Sequence, residues 1–418
     1  KELEKMNMKN VMACLALFAV GTALGAWYDA PTVRAKVERP TAADPHYMNL
    51  SEDGQYLLLD LNAANNPARK TLVYRTDILA AARGASLPLQ TVDQTLAGSK
   101  GGALSAARGV MIPGFGTASG LGYRAYSLTD RADAGTALDS LTATGLVLDG
   151  LDFNADGTRI YSNSYADGTR GNLVIFDAAD LANITLSKTV ATGLARVRSV
   201  NAYSIRGKDL VYFGEGGIVE EGGAGEIAVY DAAADQVTEL VADAARFTAD
   251  VMCVKVSCTQ TAMPMMYVLL NDGRLFVYAL RADGKSVCSA TPVREFTSNQ
   301  VAAFCGAAKT SKYRNFEVLD DDSLAFFTTT GAAPLTVVGA PVAAGDDPCI
   351  EFTGDQSIDT SVPFGPDTAV VADYAFVDTS TVQQFVWEGS DGSTVTTRIY
   401  VNGNKGYSFA ANDTGTGN

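Results

Sequence analysis

A short strand-like segment recurs along this chain, and its spacing limits the fold more than any other feature. The segments NLVIFDAADL, EIAVYDAAAD and RLFVYALRAD carry an aromatic residue in the same position, and three further segments fit the same frame. The six marker positions are Tyr74, Tyr126, Phe176, Tyr230, Tyr278 and, in a weaker copy, Val338. Successive markers are 52, 50, 54, 48 and 60 residues apart. A period near 50 residues with strand-like content indicates a β-propeller or a β-solenoid.

Each repeat contains more than its marker strand. A second apolar segment precedes it, often opened by a turn such as Asp156-Gly157, and Asp-Gly between apolar stretches is a strong hairpin signal. Another apolar run lies before that hairpin, and a further one follows the marker strand. Each repeat therefore predicts four antiparallel strands, which make one propeller blade. We interpret the DAADL-type tails after the markers as turns between the third and fourth strands.

Six repeats predict six blades, and a seventh, degenerate blade is the alternative. The segment 30–38 (APTVRAKVE) is similar to a fourth strand that has no blade of its own. The sequence of the last repeat shows no fourth strand of its own. Pairing of these two parts would close the ring with strands from both ends of the propeller, and closure removes exposed sheet edges.

The segments LDFNADGTRIYSNS and GNLVIFDAADL resemble the WD-like repeats of secreted bacterial β-propellers. Those repeats have an F-S-P-D-G-x-x-L-Y hairpin and a G-x-L-x-V-Y-D strand. The resemblance covers roughly residues 30–345. It implies an all-β fold, a six-bladed or alternatively seven-bladed propeller of four-stranded antiparallel blades. The architecture hosts many unrelated activities, so this resemblance does not select a function.

The first 26 residues have the pattern of a leader and signal peptide. A short basic start at Lys9 precedes an apolar run over residues 11–24, and small residues follow at 22–26. The run is too short to span a bilayer. We therefore expect an exported protein, secreted or held at the cell surface, with no membrane insertion after cleavage. The residues before the first Met look like translated leader sequence.

Beyond residue 345 the composition changes, and four segments resemble the opening of concanavalin A-like (laminin-G-like) jelly-roll domains of bacterial surface proteins. These are IEFTGDQSIDTS, ADYAF, VQQFVWE and YVNGNKGYSFA. The resemblance implies a partial β-sandwich, because about 70 residues match where such a sandwich usually needs about twice as many. We expect the chain to be a fragment at both ends. The predicted regions are the leader and signal peptide 1–26, the propeller 27–345 and the sandwich 346–418.

In the C-terminal region, Trp387 and Tyr400 are candidate ligand-binding residues, because flat aromatic rings can stack on a sugar ring. The competing interpretation is that they belong to the sandwich core. Tyr374 is a third aromatic residue of this region, but strand alternation places it on the same face as Phe376 and favours the core.

Charge and composition exclude several classes of protein. The net charge is −15, and a nucleic-acid partner needs a basic face. The same charge argues against binding to an anionic membrane surface. His46 is the only histidine and no cysteine spacing fits a zinc site, which excludes a His-rich metal centre.

One segment has a partial calcium signature. Asp152, Asn154 and Asp156 form D-x-N-x-D-G, the first half of a calcium-binding loop. The twelfth position is Asn163 where such a loop has a bidentate Glu. The same residues also suit a blade hairpin. We therefore predict no cofactor, with calcium at these three residues as the one exception.

No catalytic constellation can be assembled from the sequence, so we predict no catalytic residues. Glu215, Glu220 and Glu221 lie in a Gly-rich segment that suits either acid–base chemistry or, more simply, an acidic loop. The leading hypothesis is non-catalytic recognition of a glycan or another surface polymer. The alternatives are a carbohydrate-active hydrolase or lyase at the propeller mouth, and a protein-interaction scaffold. Central carboxylates with raised pKa would favour the enzyme, a carboxylate-poor polar funnel would favour binding, and a contiguous apolar patch would favour the scaffold.

Overall fold

The structure is a computed structural model in which two compact units, Lys1–Asp347 and Pro348–Asn418, are distinguished. The residues that it describes are 31–37, 44–62, 70–81, 88–93, 101–113, 121–128, 137–143, 148–164, 169–218, 222–257, 264–305, 316–319, 323–326, 335–339, 384–390, 395–401 and 407–411. The predicted leader and signal peptide lies outside them. Among the described residues, no helix is long and apolar enough to cross a membrane.

The first unit contains six antiparallel sheets of four strands each. Strand β1 (Thr32–Val37) comes first in the chain and belongs to the last sheet. Blade 1 contains β2 (Asp44–Leu50), β3 (Tyr56–Asn62), β4 (Lys70–Arg75) and β5 (Gln90–Asp93). Blade 2 contains β6 (Ala103–Ser105), β7 (Val110–Ile112), β8 (Leu121–Ser127) and β9 (Ala137–Ala143). Blade 3 contains β10 (Leu148–Phe153), β11 (Arg159–Ser164), β12 (Asn172–Asp177) and β13 (Thr185–Ala191).

The remaining three sheets follow the same plan. Blade 4 contains β14 (Val197–Ile205), β15 (Lys208–Glu215), β16 (Glu226–Asp231) and β17 (Gln236–Ala242). Blade 5 contains β18 (Val251–Ser257), β19 (Met265–Leu270), β20 (Leu275–Ala279) and β21 (Arg294–Phe296). Blade 6 contains β22 (Phe316–Val318), β23 (Leu324–Phe326) and β24 (Leu335–Gly339), and β1 is its fourth strand. The six-bladed, all-β prediction is confirmed.

Strand β1 closes the ring as the sequence predicted. It pairs antiparallel with β24, with Val33 opposite Val338 and Val37 opposite Leu335. The last blade therefore takes its outer strand from the beginning of the propeller. This closure covers the edge that β24 would otherwise expose, and an exposed strand edge is prone to pair with other chains.

The first strand of every blade lies next to the first strands of its two neighbours. The contacts run from β2 to β6, β10, β14, β18 and β22, and from β22 back to β2. Because this series closes on itself, the six first strands surround the axis of the propeller. Side chains that point from them toward the axis meet residues from other blades.

The six marker residues all lie in third strands, in β4, β8, β12, β16, β20 and β24. All of them except Tyr126 are buried. They belong to apolar clusters that combine residues of neighbouring blades, such as the one joining Tyr74 to Phe316 and Phe326. Burial of one such side chain contributes about 2–3 kcal/mol to folding. The sequence repeat thus marks the packing surface between blades.

Polar contacts also join the blades through the turns between first and second strands. Glu52 in blade 1 accepts a hydrogen bond from the Ala106 N–H of blade 2 at 3.0 Å. Asn154 in blade 3 donates from Nδ2 to an Asp209 oxygen of blade 4 at 3.0 Å. In both links, a residue of the turn bonds to the following blade.

Among the described residues of this unit, two short helices interrupt the strands, α1 (Thr76–Ala81) and α2 (Ser298–Cys305). After the third strand of blade 3, residues 178–183 form turns, as predicted for the DAADL tails. In blade 1 the equivalent tail forms α1 instead. Leu79 of α1 is fully buried in the core, and the Thr76 hydroxyl donates to the Gly54 carbonyl at 2.6 Å.

The second unit contains a three-stranded antiparallel sheet in the order β25 (Gln384–Ser390), β26 (Val395–Val401) and β27 (Tyr407–Ala411). Strand β26 pairs antiparallel with β27, with Tyr400 opposite Ser408. The residues that join them lie outside the described part of the chain. The concanavalin A-like sandwich stays a prediction.

Candidate binding site on the ring axis

Five polar residues occupy the same position in five of the first strands. Asp152 in β10 pairs with Tyr161, and Tyr161 pairs with Ile175, which directly precedes the marker Phe176. The same two-step pairing leads to the residue before the marker in blades 1, 4, 5 and 6. We call this set the central polar row; its members are Asn49, Asp152, Asn201, Lys255 and Glu317. In blade 2 the corresponding part of the first strand contains Ala103, which pairs with Ile112.

All five side chains are buried, and none is more than 7 % exposed. A buried polar or charged group destabilises the fold unless it is hydrogen-bonded or paired. The row is therefore stable only if its members satisfy one another or nearby backbone groups. The contacts below show that they do so across blade boundaries.

Asp152 is bonded to blades on two sides. The Asn49 Nδ2 of blade 1 donates to Asp152 Oδ1 at 3.1 Å and to the Leu151 carbonyl at 3.0 Å. The backbone N–H of Ala202 in blade 4 donates to Asp152 Oδ2 at 2.6 Å. Both carboxylate oxygens therefore accept hydrogen bonds, and blade 3 is held to blades 1 and 4 at the axis.

The rest of the row continues the connection. Asn201 Nδ2 donates to the Val254 carbonyl of blade 5 at 2.8 Å, and the Ser199 hydroxyl accepts from the Val254 N–H at 3.0 Å. Lys255 of blade 5 then forms a buried ion pair with Glu317 of blade 6. Together, these contacts run through blades 3, 4, 5 and 6.

Burial and neighbouring charges shift the pKa values of the ionisable residues in the central polar row. Burial raises the pKa of the Asp152 carboxyl to about 6, although the nearby Lys255 and the hydrogen bonds from Ala202 and Asn49 oppose the rise. Burial likewise raises the pKa of Glu317 to about 7, against the attraction of Lys255. For Lys255, burial favours the neutral amine, but attraction to Glu317, Cys253 and Asp152 outweighs it and raises the pKa.

A series of β-bulges lies beside the row. The register shifts between Pro45 and Tyr47 in β2, Leu148 and Leu151 in β10, Arg198 and Asn201 in β14, and Val251 and Cys253 in β18. Within the bulge of β14, Ser199 has a φ of 55°, a left-handed conformation that is uncommon for a residue other than glycine. Bulges redirect side chains and are frequent near functional sites. Four bulges at the same level of the ring therefore mark this level as a candidate site.

Residues at these bulges surround a small pocket at the axis. They are Tyr47, Gly150, Ser199, Val200 and Met252. Asn49, Asn163 and Asn201 supply the amide groups of the lining. The space open to the centre of a water molecule is about 30 Å³, which is enough for one or two waters. We call this the axial pocket; it lies toward the beginning of the first strands, on one side of the central polar row.

The three residues of the calcium signature have different partners. Asp152 faces the row, as described above. Asn154 accepts from the Arg159 N–H at 2.8 Å, and Asp156 accepts from the Thr158 N–H at 2.9 Å. Within the described residues, no group of three or more His, Cys, Asp or Glu side chains is placed to hold a metal ion. Calcium binding by Asp152, Asn154 and Asp156 stays a prediction.

The predicted residues of the C-terminal unit lie on neighbouring strands. Trp387 in β25 pairs with Ile399, and Tyr400 in β26 pairs with Phe385 and Ser408. Their role in ligand binding stays a prediction.

In the Gly-rich segment, the structure describes one of the three glutamates, Glu215. Glu215 is buried and accepts hydrogen bonds from the N–H groups of Ala195 at 3.0 Å and Gly225 at 2.8 Å. Both oxygens thus hold backbone in place, which is a structural role. Glu220 and Glu221 lie outside the described residues.

Sequence reasoning found Asp152 only as part of a calcium motif and missed the rest of the row. A usable signal was present. Each member of the row lies 21 to 29 residues before its marker, in a segment that is otherwise apolar. A polar residue at a fixed position in a buried first strand indicates a side chain that meets partners at the axis.

Comparison with known proteins adds little beyond the fold. No family model matches the chain, and no curated protein matches it. Chains in solved structures do match, 1184 of them. One comes from "Crystal Structure of Mitotic Checkpoint Complex", with 15 % identity and a TM-score of 0.44, over 70 % of this chain and 73 % of that one. A match at this identity carries no statement about function.

Proposed function

We propose that this chain is a secreted or cell-surface recognition protein that binds a glycan or another surface polymer at the axial pocket without catalysing a reaction. One observation carries the proposal. The lining of the axial pocket includes three side-chain amides and the Ser199 hydroxyl, yet among the described residues it includes no carboxylate, lysine, arginine or histidine. Neutral amides and a hydroxyl recognise a ligand through hydrogen bonds, but they do not supply the acid and base that hydrolysis needs.

The charged groups nearby are engaged with one another. Lys255 and Glu317 form their ion pair, and Asp152 accepts from Asn49 and Ala202. Their burial keeps them from contact with a bound polymer. We therefore assign the row the structural role of joining the blades, and we assign recognition to the uncharged groups in front of it.

The size of the pocket limits what it can hold. Its volume of about 30 Å³ accepts a single functional group and is far too small for a sugar ring, since pockets that enclose drug-sized ligands measure about 300–1,000 Å³. In this proposal one group of the polymer enters the pocket, and the rest of the polymer lies across the end of the ring.

The test is binding of the full chain to immobilised glycans and cell-surface polymers, with a variant that fills the pocket. A Cβ at Gly150 would meet Tyr47 Cε1 at 3.8 Å and Asn163 Oδ1 at 3.9 Å, so added carbon atoms there enter the pocket. We expect Gly150→Val to lose binding at least tenfold. The control is Leu186→Ala, a change at an exposed outer-strand residue, which should bind as the unchanged protein does. Equal binding by Gly150→Val would contradict the proposal.

A carbohydrate-active hydrolase or lyase is the second candidate, and the raised pKa values of Asp152 and Glu317 favour it. Carboxylates that titrate near neutral pH are typical of acid–base catalysis. The test is to incubate bound polymers with the protein and to measure new reducing ends or unsaturated products. Cleavage that is lost in Asp152→Asn would establish the enzyme and overturn the non-catalytic proposal.

A protein-interaction scaffold would carry a contiguous apolar patch. Among the described residues, the exposed large apolar side chains are Val33, Leu186 and Val293, and they belong to three different blades. Such scattered residues are ordinary on a protein surface. A protein partner that competes with polymers for the pocket would nevertheless favour the scaffold.

A further inference from the structure

The three asparagines of the axial pocket have a fixed orientation. Asn49 Nδ2 donates to the Leu151 carbonyl, Asn163 Nδ2 to the Val197 carbonyl at 3.0 Å, and Asn201 Nδ2 to the Val254 carbonyl. A backbone carbonyl can only accept, so in each amide the atom facing the carbonyl must be nitrogen. The amide oxygen of each side chain therefore points away from the backbone that holds its nitrogen.

These oxygens have no donor among the described residues. The three side chains are between 2 % and 4 % exposed. Among the described residues, none donates a hydrogen bond to the Oδ1 of Asn49, Asn163 or Asn201. Asn163 Oδ1 lies 3.9 Å from the position that a Cβ of Gly150 would occupy, on the pocket side of that residue. None of the three oxygens is among the fully enclosed side-chain atoms that lack a partner, so each has open space beside it in which a donor from water or from a ligand fits.

We propose that the axial pocket binds a primary ammonium group, carried by an amino sugar of the polymer that the proposed function assigns to this site. This inference rests on the proposed function and adds the chemical group that is recognised. A primary ammonium has three N–H donors and no acceptor, which matches three amide oxygens. A hydroxyl group has a single donor, and a carboxylate or phosphate has none.

Charge and size support a small cation. The central polar row beside the pocket holds two carboxylates, Asp152 and Glu317, against one ammonium, Lys255. Tyr47 contributes an aromatic ring to the lining, and a cation is attracted to the face of such a ring. An ammonium group is about as large as a water molecule and suits a space of about 30 Å³. A guanidinium or a quaternary ammonium group is larger than that space.

The first experiment titrates the full chain with methylammonium chloride and follows the side-chain amide signals of the asparagines by NMR. We expect saturable shifts at the three pocket asparagines. Tetramethylammonium chloride at equal ionic strength should not produce them, because this cation has no N–H donor and is larger than the pocket. Sodium chloride shows whether the oxygens respond to any small cation. Gly150→Val should weaken methylammonium binding at least tenfold, and Leu186→Ala should leave it unchanged. Equal responses to all three salts, or full binding by Gly150→Val, would overturn the proposal, as would a pocket that holds only water.

The second experiment separates this inference from the proposed function. Oligomers of glucosamine, which carry primary amines, are compared with their N-acetylated counterparts, which do not. Preference for the amine form, lost in Gly150→Val, supports both proposals. Pocket-dependent binding of acetylated or neutral glycans alone keeps the recognition function and overturns the ammonium inference. Binding of methylammonium and lysine-rich peptides, without any glycan, supports the ammonium site and overturns the glycan assignment.

Discussion

Asn49 of blade 1 donates a 3.1 Å hydrogen bond to Asp152 of blade 3, reaching past the first strand of blade 2. That intervening strand, β6, has only three residues and has the small side chain of Ala103 at the place that corresponds to the central polar row. Blades 1 and 3 can therefore meet at the axis. The contact indicates that the centre of this propeller is occupied by polar side chains that hold the ring together.

Removal of the Asp152 carboxylate should destabilise the propeller. Asp152→Ala leaves the Asn49 Nδ2 and the Ala202 N–H facing no acceptor, and each unsatisfied buried donor costs about 1–3 kcal/mol. Asp152→Asn keeps one acceptor and places an NH₂ against the other donor, so we expect a loss of about 2 kcal/mol. Urea unfolding at pH 7 measures both.

The matched control for these variants is Asp156→Asn, four residues along in the turn that follows. Asp156 is exposed, and the new side chain can still accept from the Thr158 N–H. A change within about 0.5 kcal/mol is expected there. If Asp152→Asn proved as mild as this control, the row would not join the blades as we describe.

Removing one partner of the Lys255–Glu317 ion pair should destabilise the protein strongly, whereas replacing both partners by apolar residues should change its stability little. Both side chains are 3 % exposed. Lys255→Met leaves the Glu317 carboxylate buried without its partner, and we expect a loss of about 3–5 kcal/mol. The double variant Lys255→Met, Glu317→Leu removes both charges and should recover most of that loss, because apolar replacements of buried ion pairs are often neutral. Denaturant unfolding of the two single variants and the double variant gives the coupling energy; additive losses would contradict a direct pair.

The stability of the protein should fall as pH rises from about 4 to about 7. Asp152 and Glu317 have pKa values of about 6 and about 7 in the folded protein, against 3.8 and 4.5 as reference values. Between these limits the folded state binds more protons than the unfolded state, so stability decreases with increasing pH. Each group contributes on the order of 2–3 kcal/mol at most. Carboxylates with lowered pKa, such as Asp231 beside Lys285, act in the opposite direction and only below about pH 4.

This pH dependence can be measured by urea unfolding at several pH values between 4.5 and 7.5. The double variant Asp152→Asn, Glu317→Gln removes both titrating groups and should give a flatter profile than the unchanged protein. A stability that increased with pH across this range, or a slope unaffected by the double variant, would show that these two carboxyls do not titrate as described.

Much of the fold could be predicted because propeller blades repeat. The spacing of Tyr74, Phe176 and Tyr278 located third strands, since each blade needs a large side chain at the same packing position. The closing strand could be predicted from 30–38, because a strand-like segment without a blade has few places to pair. Helix α2 was missed although its start has a capping box, in which the Thr297 N–H donates to Gln300 Oε1 at 2.8 Å and the Gln300 N–H donates to the Thr297 hydroxyl at 3.3 Å.

The axial pocket could not be predicted from the sequence as the blades were. The bulges that expose Tyr47 and Ser199 depend on how two strands pair, and a single inserted residue has no signature of its own. Asn163 joins the pocket from a second strand, so its distance from its marker differs from that of the row. The polar row itself repeats, but its residues differ in chemistry from blade to blade, and no shared residue type marked the position.

Two glycines beside the Tyr47 ring should respond differently to the same substitution. A Cβ at Gly101 would lie 2.6 Å from Tyr47 Cδ1 and 2.8 Å from Cγ, so Gly101→Ala must displace the ring or the backbone. We expect a loss of about 1–3 kcal/mol, as for other overpacked positions. Gly150→Ala meets Tyr47 at the ordinary contact distance of 3.8 Å and should change stability by less than about 1 kcal/mol. Unfolding of both variants in urea gives the comparison, and equal losses would show that the Tyr47 ring does not pack against Gly101 as described.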